Sequence, residues 1–431
     1  MASLLLAFAG CAHARNSEWV ADEVARRTGY APDVERKAGD APRVPTGVSI
    51  ADGVSEEEAV AIALWNHPRF RVDLARLATA RANLADARRP SNPTLRFLFP
   101  AGPQQLAALL TWPLENLVAM RRRIDIASTD LDAAAESVVQ TALDVTRDAR
   151  IAHVEWVLAD DRLRVRRQLA AQADAIAVIA EARGKAGDVA LRERDAARAD
   201  ALVAADDAAR AEHDVAIAER RLRVLLGDGE HPLRPSAVDV VLDDPTARDD
   251  LPQLAIASRP DLRAAQLAIE SAGARIGLEK LAVLRLAGVA NVQGASITGG
   301  VQAELPIANQ NQGGIGRARA ELEAASWRYQ DLRLRIVGEV EDARLRLRRA
   351  LGSLATYRQT IVAARQGDIA VVTAAYELGE QDYAGVLIAS QRLEEARLRE
   401  VELVAEVRRA RAELERALGR RLATAPKEGR P

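Results

Sequence analysis

The feature that most constrains this chain is a tandem repeat. Residues 66–70 (NHPRF) recur as residues 258–262 (SRPDL), which places Pro68 and Pro260 192 residues apart. Further landmarks recur in the same order: Pro113 with Pro306, Gly184 with Gly379, and Gly227 with Gly419. This period is far longer than the roughly 20–45 residues of a solenoid repeat, so each half must form a complete structural unit.

The landmarks divide the chain into six segments. These are a signal peptide (1–10), an N-terminal extended segment (11–54), a first repeat (55–227), a linker (228–250), a second repeat (251–419) and a C-terminal tail (420–431). Each repeat contains a helix, a β-hairpin, a long helix and a return helix. The first helix begins at Ser55, which forms a capping box with Glu58, and extends to Arg89. Its second copy covers residues 251–281.

The two hairpins are predicted at residues 92–113 and 283–306. In the second hairpin, the apolar residues Val301, Ala303 and Leu305 alternate with Gln302 and Glu304. A period of two predicts a strand with one apolar face.

The long helices are predicted at residues 116–183 and 316–378. At about 1.5 Å per residue, such a helix would be on the order of 100 Å long, which no globular domain needs. A heptad seam supports close helix packing. Its first positions are Val340, Leu347, Leu354 and Ile361, and its second positions are Ala343, Ala350, Tyr357 and Ala364. An isolated soluble coiled coil would explain the seam but not the hairpins.

The charge and the motifs argue against several functions. The chain has 60 basic and 62 acidic residues, so the basic excess of a nucleic-acid-binding protein is missing. Its five histidines are scattered without metal-ligand spacing, and no catalytic motif is present, so we expect no enzyme, cofactor or metal site. The glycines of residues 313–316 could cradle a phosphate before a helix. They lack the third glycine and the βαβ context of a dinucleotide loop, which favours a turn.

The N-terminus predicts a lipid anchor. The apolar run MASLLLAFAG precedes the chain's one cysteine, Cys11, as in a bacterial lipoprotein signal. An ordinary signal peptide or a chance cysteine is the alternative. A single cysteine excludes an internal disulfide framework.

The paired halves resemble the TolC-type outer-membrane factors, the outer membrane efflux protein family. The resemblance covers residues 55–422, and its most specific parts are LWNHPRFR (64–71), ASRPDLRAA (257–265) and LPIANQNQGGIGRARAEL (305–322). Residues 305–314 resemble the heavy-metal-efflux lipoprotein branch more than the secretion branch. The fold class is therefore mainly α with β-hairpins, built from tandem-duplicated long-helix coiled-coil hairpins.

The resemblance implies a homotrimer in which the helices form an α-barrel and each protomer gives four strands to a shared β-barrel. It implies a barrel-to-tunnel junction at Pro113, Pro306, Gly313, Gly314 and Gly316. It also implies helical tips that dock a periplasmic adaptor (membrane fusion) protein, at Gly184, Gly187, Asp188, Gly379 and Asp382. An inner-membrane pump and outer-membrane lipid would be the other partners. The location would be the outer membrane of a Gram-negative bacterium, lipid-anchored and extending into the periplasm.

Two features depart from the family pattern. The strand at residues 94–99 is shorter than the roughly 9–11 residues of a membrane strand. The acidic gate positions of the family correspond to Gly385 and Ile388. The nearest acids, Asp188 and Asp382, could be gate residues or helix N-caps.

The sequence thus predicts a passive exit duct of a tripartite efflux or type I secretion system. The alternative is a non-spanning periplasmic coiled-coil scaffold lipoprotein, which the short first hairpin motivates. A membrane-fusion adaptor fits less well, because it would have one helical hairpin between β-rich domains.

Overall fold

The computed structural model describes residues 15–50, 53–99, 106–227, 233–236 and 244–422. The signal peptide, Cys11, the turn of the first hairpin, much of the linker and most of the tail lie outside these ranges. The helices are α1 (Ser17–Thr28), α2 (Glu56–Asn66), α3 (Pro68–Ala87), α4 (Glu115–Ala186), α5 (Leu191–Leu226), α6 (Leu251–Ser258), α7 (Pro260–Leu281), α8 (Gln312–Thr356), α9 (Val362–Glu377) and α10 (Tyr383–Leu418). The strands are β1 (Thr94–Leu98), β2 (Ala107–Pro113), β3 (Arg285–Gln293) and β4 (Ser296–Glu304).

The chain forms two compact units. One takes in the described parts of Met1–Glu23, Arg69–Thr141 and Arg259–Arg335, and it holds the sheet. The other takes in the described parts of Val24–Pro68, Ala142–Ser258 and Ile336–Pro431. Each unit combines segments of both repeats, and the repeat boundaries stay predictions. No helix in the described part of the chain combines the length and apolar character that crossing a membrane requires.

The first helix of each repeat is broken, where the sequence predicts one continuous helix. The breaks fall at His67 (ψ 123°) and Arg259 (ψ 125°), each directly before a proline. A residue before proline is pushed out of the helical region, and the proline is well placed to begin the next helix. The predicted capping box of Ser55 and Glu58 is confirmed, with both reciprocal hydrogen bonds present.

The return helices show the duplication most clearly. Helices α5 and α10 each contain 36 residues. They end at Gly227 (φ 67°) and Gly419 (φ 72°), which adopt the left-handed conformation that a helix C-terminus favours in glycine.

The predicted heptad seam is confirmed as far as Leu354, and there it shifts. Val340, Leu347 and Leu354 are all buried, but Ile361 is only partly buried and Val362 takes its place. A π-helical turn at Tyr357–Ile361 causes the change, because its wider turn takes up one extra residue. The seven-residue spacing then continues through Ile369 and Tyr376. Ala364 consequently lies outside the seam and is exposed.

The two hairpins form one antiparallel sheet in the order β1-β2-β3-β4. Strands β2 and β3 join the hairpins, with Leu110 opposite Ala290. The second hairpin closes through Gly294 and Ala295, and Gly294 has a positive φ of 60°. Strands β1 and β4 are therefore the edges of this sheet.

Candidate functional site: a two-faced sheet and two helical tips

The register gives the sheet one wholly apolar face. Residues directly opposite each other in antiparallel strands lie on the same face. Beginning from the pairs Leu95↔Leu110 and Leu110↔Ala290, one face is lined by Leu95, Phe97, Ala108, Leu110, Trp112, Leu286, Gly288, Ala290, Val292, Ile297, Gly299, Val301 and Ala303. Several of these side chains are largely exposed, among them Ile297 at 75% and Val301 at 69%.

The opposite face carries every polar residue of the four strands. These are Thr94, Arg96, Thr111, Arg285, Asn291, Gln293, Ser296, Thr298, Gln302 and Glu304. Arg285 donates to Glu304 across the β3–β4 pair at 3.2 Å. This face, which we call the polar face, also carries apolar residues such as Leu98, Leu109 and Val289. A sheet with one wholly apolar face and one face that holds all of its polar residues, both open to the surroundings at β1 and β4, suits a boundary between lipid and water.

The predicted junction prolines lie at or near strand ends. Pro113 is the last residue of β2, and α4 begins two residues later. Pro306 follows the end of β4 by two residues, as expected for a residue that cannot donate to the ladder. Their role as a barrel-to-tunnel junction stays a prediction.

The sequence predicts a turn at the glycines of residues 313–316, and this position is wrong. Gly313, Gly314 and Gly316 lie in the first turns of α8 and have no positive φ. The chain turns at Asn311 instead, which has a φ of 57°. Asparagine tolerates this conformation better than most residues, because its side chain can form local hydrogen bonds.

Asn311 is held by α7. Its side-chain amide donates to the carbonyl oxygen of Glu279 at 2.9 Å and to the Glu279 carboxylate at 2.7 Å. Its own carbonyl accepts from Ile315 N–H at 3.0 Å, the first bond of α8. A Cβ added to Gly314 would lie 2.5 Å from Asn311 Oδ1, so this glycine makes room for the Asn311–Glu279 contact.

The helical tips are equivalent through Gly187 and Gly379. Both have positive φ, 84° and 78°. The residue after each glycine donates back to a helix carbonyl five residues earlier, Asp188 to Arg183 and Glu380 to Ala375. The sequence pairing of Gly184 with Gly379 is therefore wrong, because Gly184 lies inside α4. The pairing of Gly187 with Gly379 restores the offset of 192 residues.

The two tip aspartates differ in role. Asp382 is the N-cap of α10 and accepts from Gly385 N–H at 3.0 Å, which confirms the capping interpretation there. The N-cap of α5 is Ala190, so Asp188 is not a cap. Gly385 and Ile388 carry no carboxylate, and the gate role of Asp188 and Asp382 stays untested.

Two tyrosines bind the second tip to α5, a feature that the sequence did not reveal. Tyr383 donates to Asp200 at 2.6 Å, and Tyr376 donates to Glu193 at 3.2 Å. Burial, then the neighbouring carboxylate, raises the pKa of each tyrosine, so both hydroxyls stay protonated donors. Arg183 of α4 donates to the Tyr376 carbonyl at 3.0 Å and lies over its ring at 4.8 Å.

A buried polar cluster surrounds His153 within α4. The His153 ring is fully buried, with Nε2 2.8 Å from the Val54 carbonyl and Nδ1 3.3 Å from an Arg408 nitrogen. Because the carbonyl accepts and arginine donates, the ring is neutral with its proton on Nε2. Arg408 in turn donates to Glu56 through two nitrogens. This cluster joins α2, α4 and α10.

The described residues contain no group of histidine, cysteine, aspartate or glutamate side chains that could hold a metal ion.

The sequence of the second repeat matches a known family. Residues 251–420 match the model of the outer membrane efflux protein family. No curated protein matches the chain.

The fold matches solved outer-membrane channels. CusC is 18% identical with a TM-score of 0.73, over 90% of this chain and 98% of that chain. VceC from Vibrio cholerae is 16% identical with a TM-score of 0.69, over 85% and 96%. The open MtrE channel of Neisseria gonorrhoeae is 15% identical with a TM-score of 0.68, over 89% and 97%. The chain is therefore similar to the outer membrane efflux proteins in sequence over residues 251–420 and shares the fold of these channels over most of its length, which confirms the resemblance to the TolC-type outer-membrane factors.

Proposed function

We propose that this chain is one subunit of an outer-membrane exit duct. The observation that carries the proposal is the sheet, which has a wholly apolar face opposite a polar face. In a lipid bilayer, the apolar face would contact acyl chains and the polar face would line a water-filled path. The likeness in fold to efflux channels supports the same role.

The open edges of the sheet require other strands. In lipid, the unpaired backbone groups of β1 and β4 would have no hydrogen-bond partners, so the sheet must close with further strands. We propose closure by two more copies of the chain, giving a homotrimer with twelve strands. The long helices would continue the path through the periplasm as an α-barrel, with Pro113, Pro306 and the start of α8 at the junction.

The duct is passive in this proposal. An inner-membrane pump supplies the energy, and a periplasmic adaptor docks at the tips around Gly187 and Gly379. Cys11 attaches the chain to the outer membrane through lipid. The cargo, including the metal cations that the resemblance of residues 305–314 predicts, is discriminated by the bore and by the charge of the wall.

Planar-bilayer recording of the purified full chain tests the proposal. A duct gives discrete conductance steps, and its detergent-solubilised mass corresponds to three chains. The alternative, a non-spanning periplasmic scaffold lipoprotein, gives no conductance. A stable monomer without conductance would refute the duct, because four strands cannot close a barrel.

A further inference from the structure

Four helix ends meet the sheet at the same side. The register places the start of β1 beside the end of β2, and the start of β3 beside the end of β4. The C-termini of α3 and α7 and the N-termini of α4 and α8 are therefore neighbours. We call this end of the sheet the helix level. Two contacts show that the helix ends are neighbours there: Asn311 binds Glu279, and the Arg122 guanidinium lies against Gly277.

This level is strongly basic, although the chain as a whole is slightly acidic. The four segments that flank the sheet here are residues 82–93, 114–123, 275–284 and 308–319. Together they contain nine arginines and lysines and three acids, while the whole chain has a net charge of −2. The local excess of positive charge is thus a property of this level, not of the composition.

Some of these cations are already satisfied. Arg275 pairs with Asp130 at 2.8 Å, Arg89 pairs with Asp86 at 3.7 Å, and Arg123 donates to the Asn116 carbonyl at 3.1 Å. Six others are exposed in the single chain and form no ion pair within its described residues. These six, which we call the basic collar, are Arg88, Arg121, Arg122, Lys280, Arg317 and Arg319.

Trp112 lies between most of the apolar face of the sheet and the basic collar along the direction of the strands. It lies on that face at the helix end of β2 and is 40% exposed. Its indole N–H donates to the Ser91 carbonyl at 3.1 Å, so its polar atom is satisfied at the strand end. Tryptophan is enriched at membrane–water interfaces, where an apolar body and a polar edge are both accommodated. The collar begins within two helical turns of this position.

We propose that the basic collar binds the anionic headgroups of phospholipids in the leaflet nearest the helices. This inference rests on the proposed insertion of the sheet in a membrane. Unpaired guanidinium groups just outside an apolar surface are complementary to phosphate, which arginine binds through two parallel hydrogen bonds. Basic residues at a membrane surface favour anionic lipids over zwitterionic ones. The collar would fix the depth of the duct by contacts on the solvent side of Trp112.

The test titrates the detergent-solubilised full chain with phosphatidylglycerol or phosphatidylcholine and follows the midpoint of thermal unfolding. We expect the wild type to respond at about tenfold lower phosphatidylglycerol than phosphatidylcholine, because several cations contribute. High salt should remove this preference, since the contacts are exposed. Inorganic phosphate at the same concentrations should produce no shift.

The variant R121Q/R122Q/R317Q/R319Q should lose the preference. Its matched control, R328Q/R333Q/R349Q/R392Q, removes the same charge from exposed arginines elsewhere on the helices and should keep it. Replacing the four collar arginines with lysine should largely preserve it.

Three results would overturn the collar. These are a wild type without preference at low salt, a collar variant that keeps the preference, or an equal response to inorganic phosphate. The wild-type titration and its salt dependence need no variant, so they test the collar even if the glutamine variant misfolds.

Conductance in phosphatidylcholine bilayers is measured separately and tests the duct. A conducting protein without lipid preference refutes only the collar, whereas a preference without conductance refutes only the duct.

Discussion

Among Gly313, Gly314 and Gly316, Gly314 is the position that has no room for a side chain. It is buried, and the space beside it is filled by the Asn311 amide and the Glu279 carboxylate. Gly316 is exposed, and an added Cβ there would meet nothing within 4 Å. Substitutions at these two positions therefore distinguish two effects. One is the steric requirement for glycine at Gly314, and the other is the low helix propensity of glycine at Gly316.

We predict opposite effects of alanine at these two positions. Gly314→Ala should displace Asn311 from Glu279 and reduce the free energy of unfolding by about 1–2 kcal/mol, the cost of breaking a partly buried hydrogen-bonded contact. Gly316→Ala should raise it by about 0.5–1 kcal/mol, because alanine is the better helix former. Thermal unfolding midpoints measure both. Equal shifts for the two variants would contradict this account of the α8 start.

The surroundings of His153 predict that acid lowers the stability of the fold. Burial lowers its pKa from the usual 6.5, the Arg408 charge lowers it further, and the Val54 carbonyl, Glu56 and Glu58 partly oppose the shift. Protonation would place a proton on Nδ1, facing Arg408. The folded state thus binds fewer protons than the unfolded state just below pH 6.5, and stability falls with decreasing pH in that range. Above pH 6.5 the contribution of His153 is complete.

The variant His153→Gln checks this dependence. It cannot titrate, and its amide can still donate toward the Val54 carbonyl. We expect the midpoint of thermal unfolding to fall more steeply in the wild type than in the variant between roughly pH 6.5 and pH 5. Parallel pH profiles would show that other groups cause the acid sensitivity.

At the scale of elements, the π-helical turn at Tyr357–Ile361 decides which residues pack. Before it, Leu347 and Leu354 are buried, and after it, Val362 and Ile369 are buried. The extra residue of the turn accounts for this one-position shift. Removing one residue from the turn should therefore restore a regular helix without rotating α9.

Two single-residue deletions test this explanation. Deleting the exposed Thr360 inside the π-helical turn should change the unfolding midpoint little. Deleting the exposed Arg349 in regular α8 should instead move the buried Leu354 out of the seam, while closure of the π-helical turn keeps Val362 and the later seam residues in place. That loss should cost about 2–5 kcal/mol, because one large side chain leaves the core. Similar midpoints for the two deletions would refute the role of the π-helical turn.

Local patterns predicted much of these elements. The heptad spacing identified the seam up to Leu354, and the Ser55–Glu58 pair identified a helix start, because both depend on neighbours in sequence. The π-helical turn has no residue pattern of its own, so the sequence could not place the shift to Val362. The prolines at the helix breaks, Pro68 and Pro260, are visible in the sequence as repeated landmarks, and each forces the residue before it out of the helical region.

At the scale of the whole molecule, the sequence established the duplication and the mixture of long helices with hairpins. It could not supply the register that joins the two hairpins through β2 and β3, because that pairing links segments about 180 residues apart. The apolar and polar faces follow only from this register. Likewise, the contacts of Tyr376 and Tyr383 with α5 depend on packing between the two repeats.

The central claim is that the polar face lines an aqueous path and the apolar face contacts lipid. Val301 and Gln302 are neighbours on β4 but lie on opposite faces. Single cysteines at these positions can be modified with a charged thiol reagent during planar-bilayer recording, with the wild type as the control for any reaction at Cys11. The account predicts that modification changes the conductance of Gln302→Cys and leaves that of Val301→Cys unchanged. Conductance that responds equally at both positions, or no conductance from either protein, would contradict it.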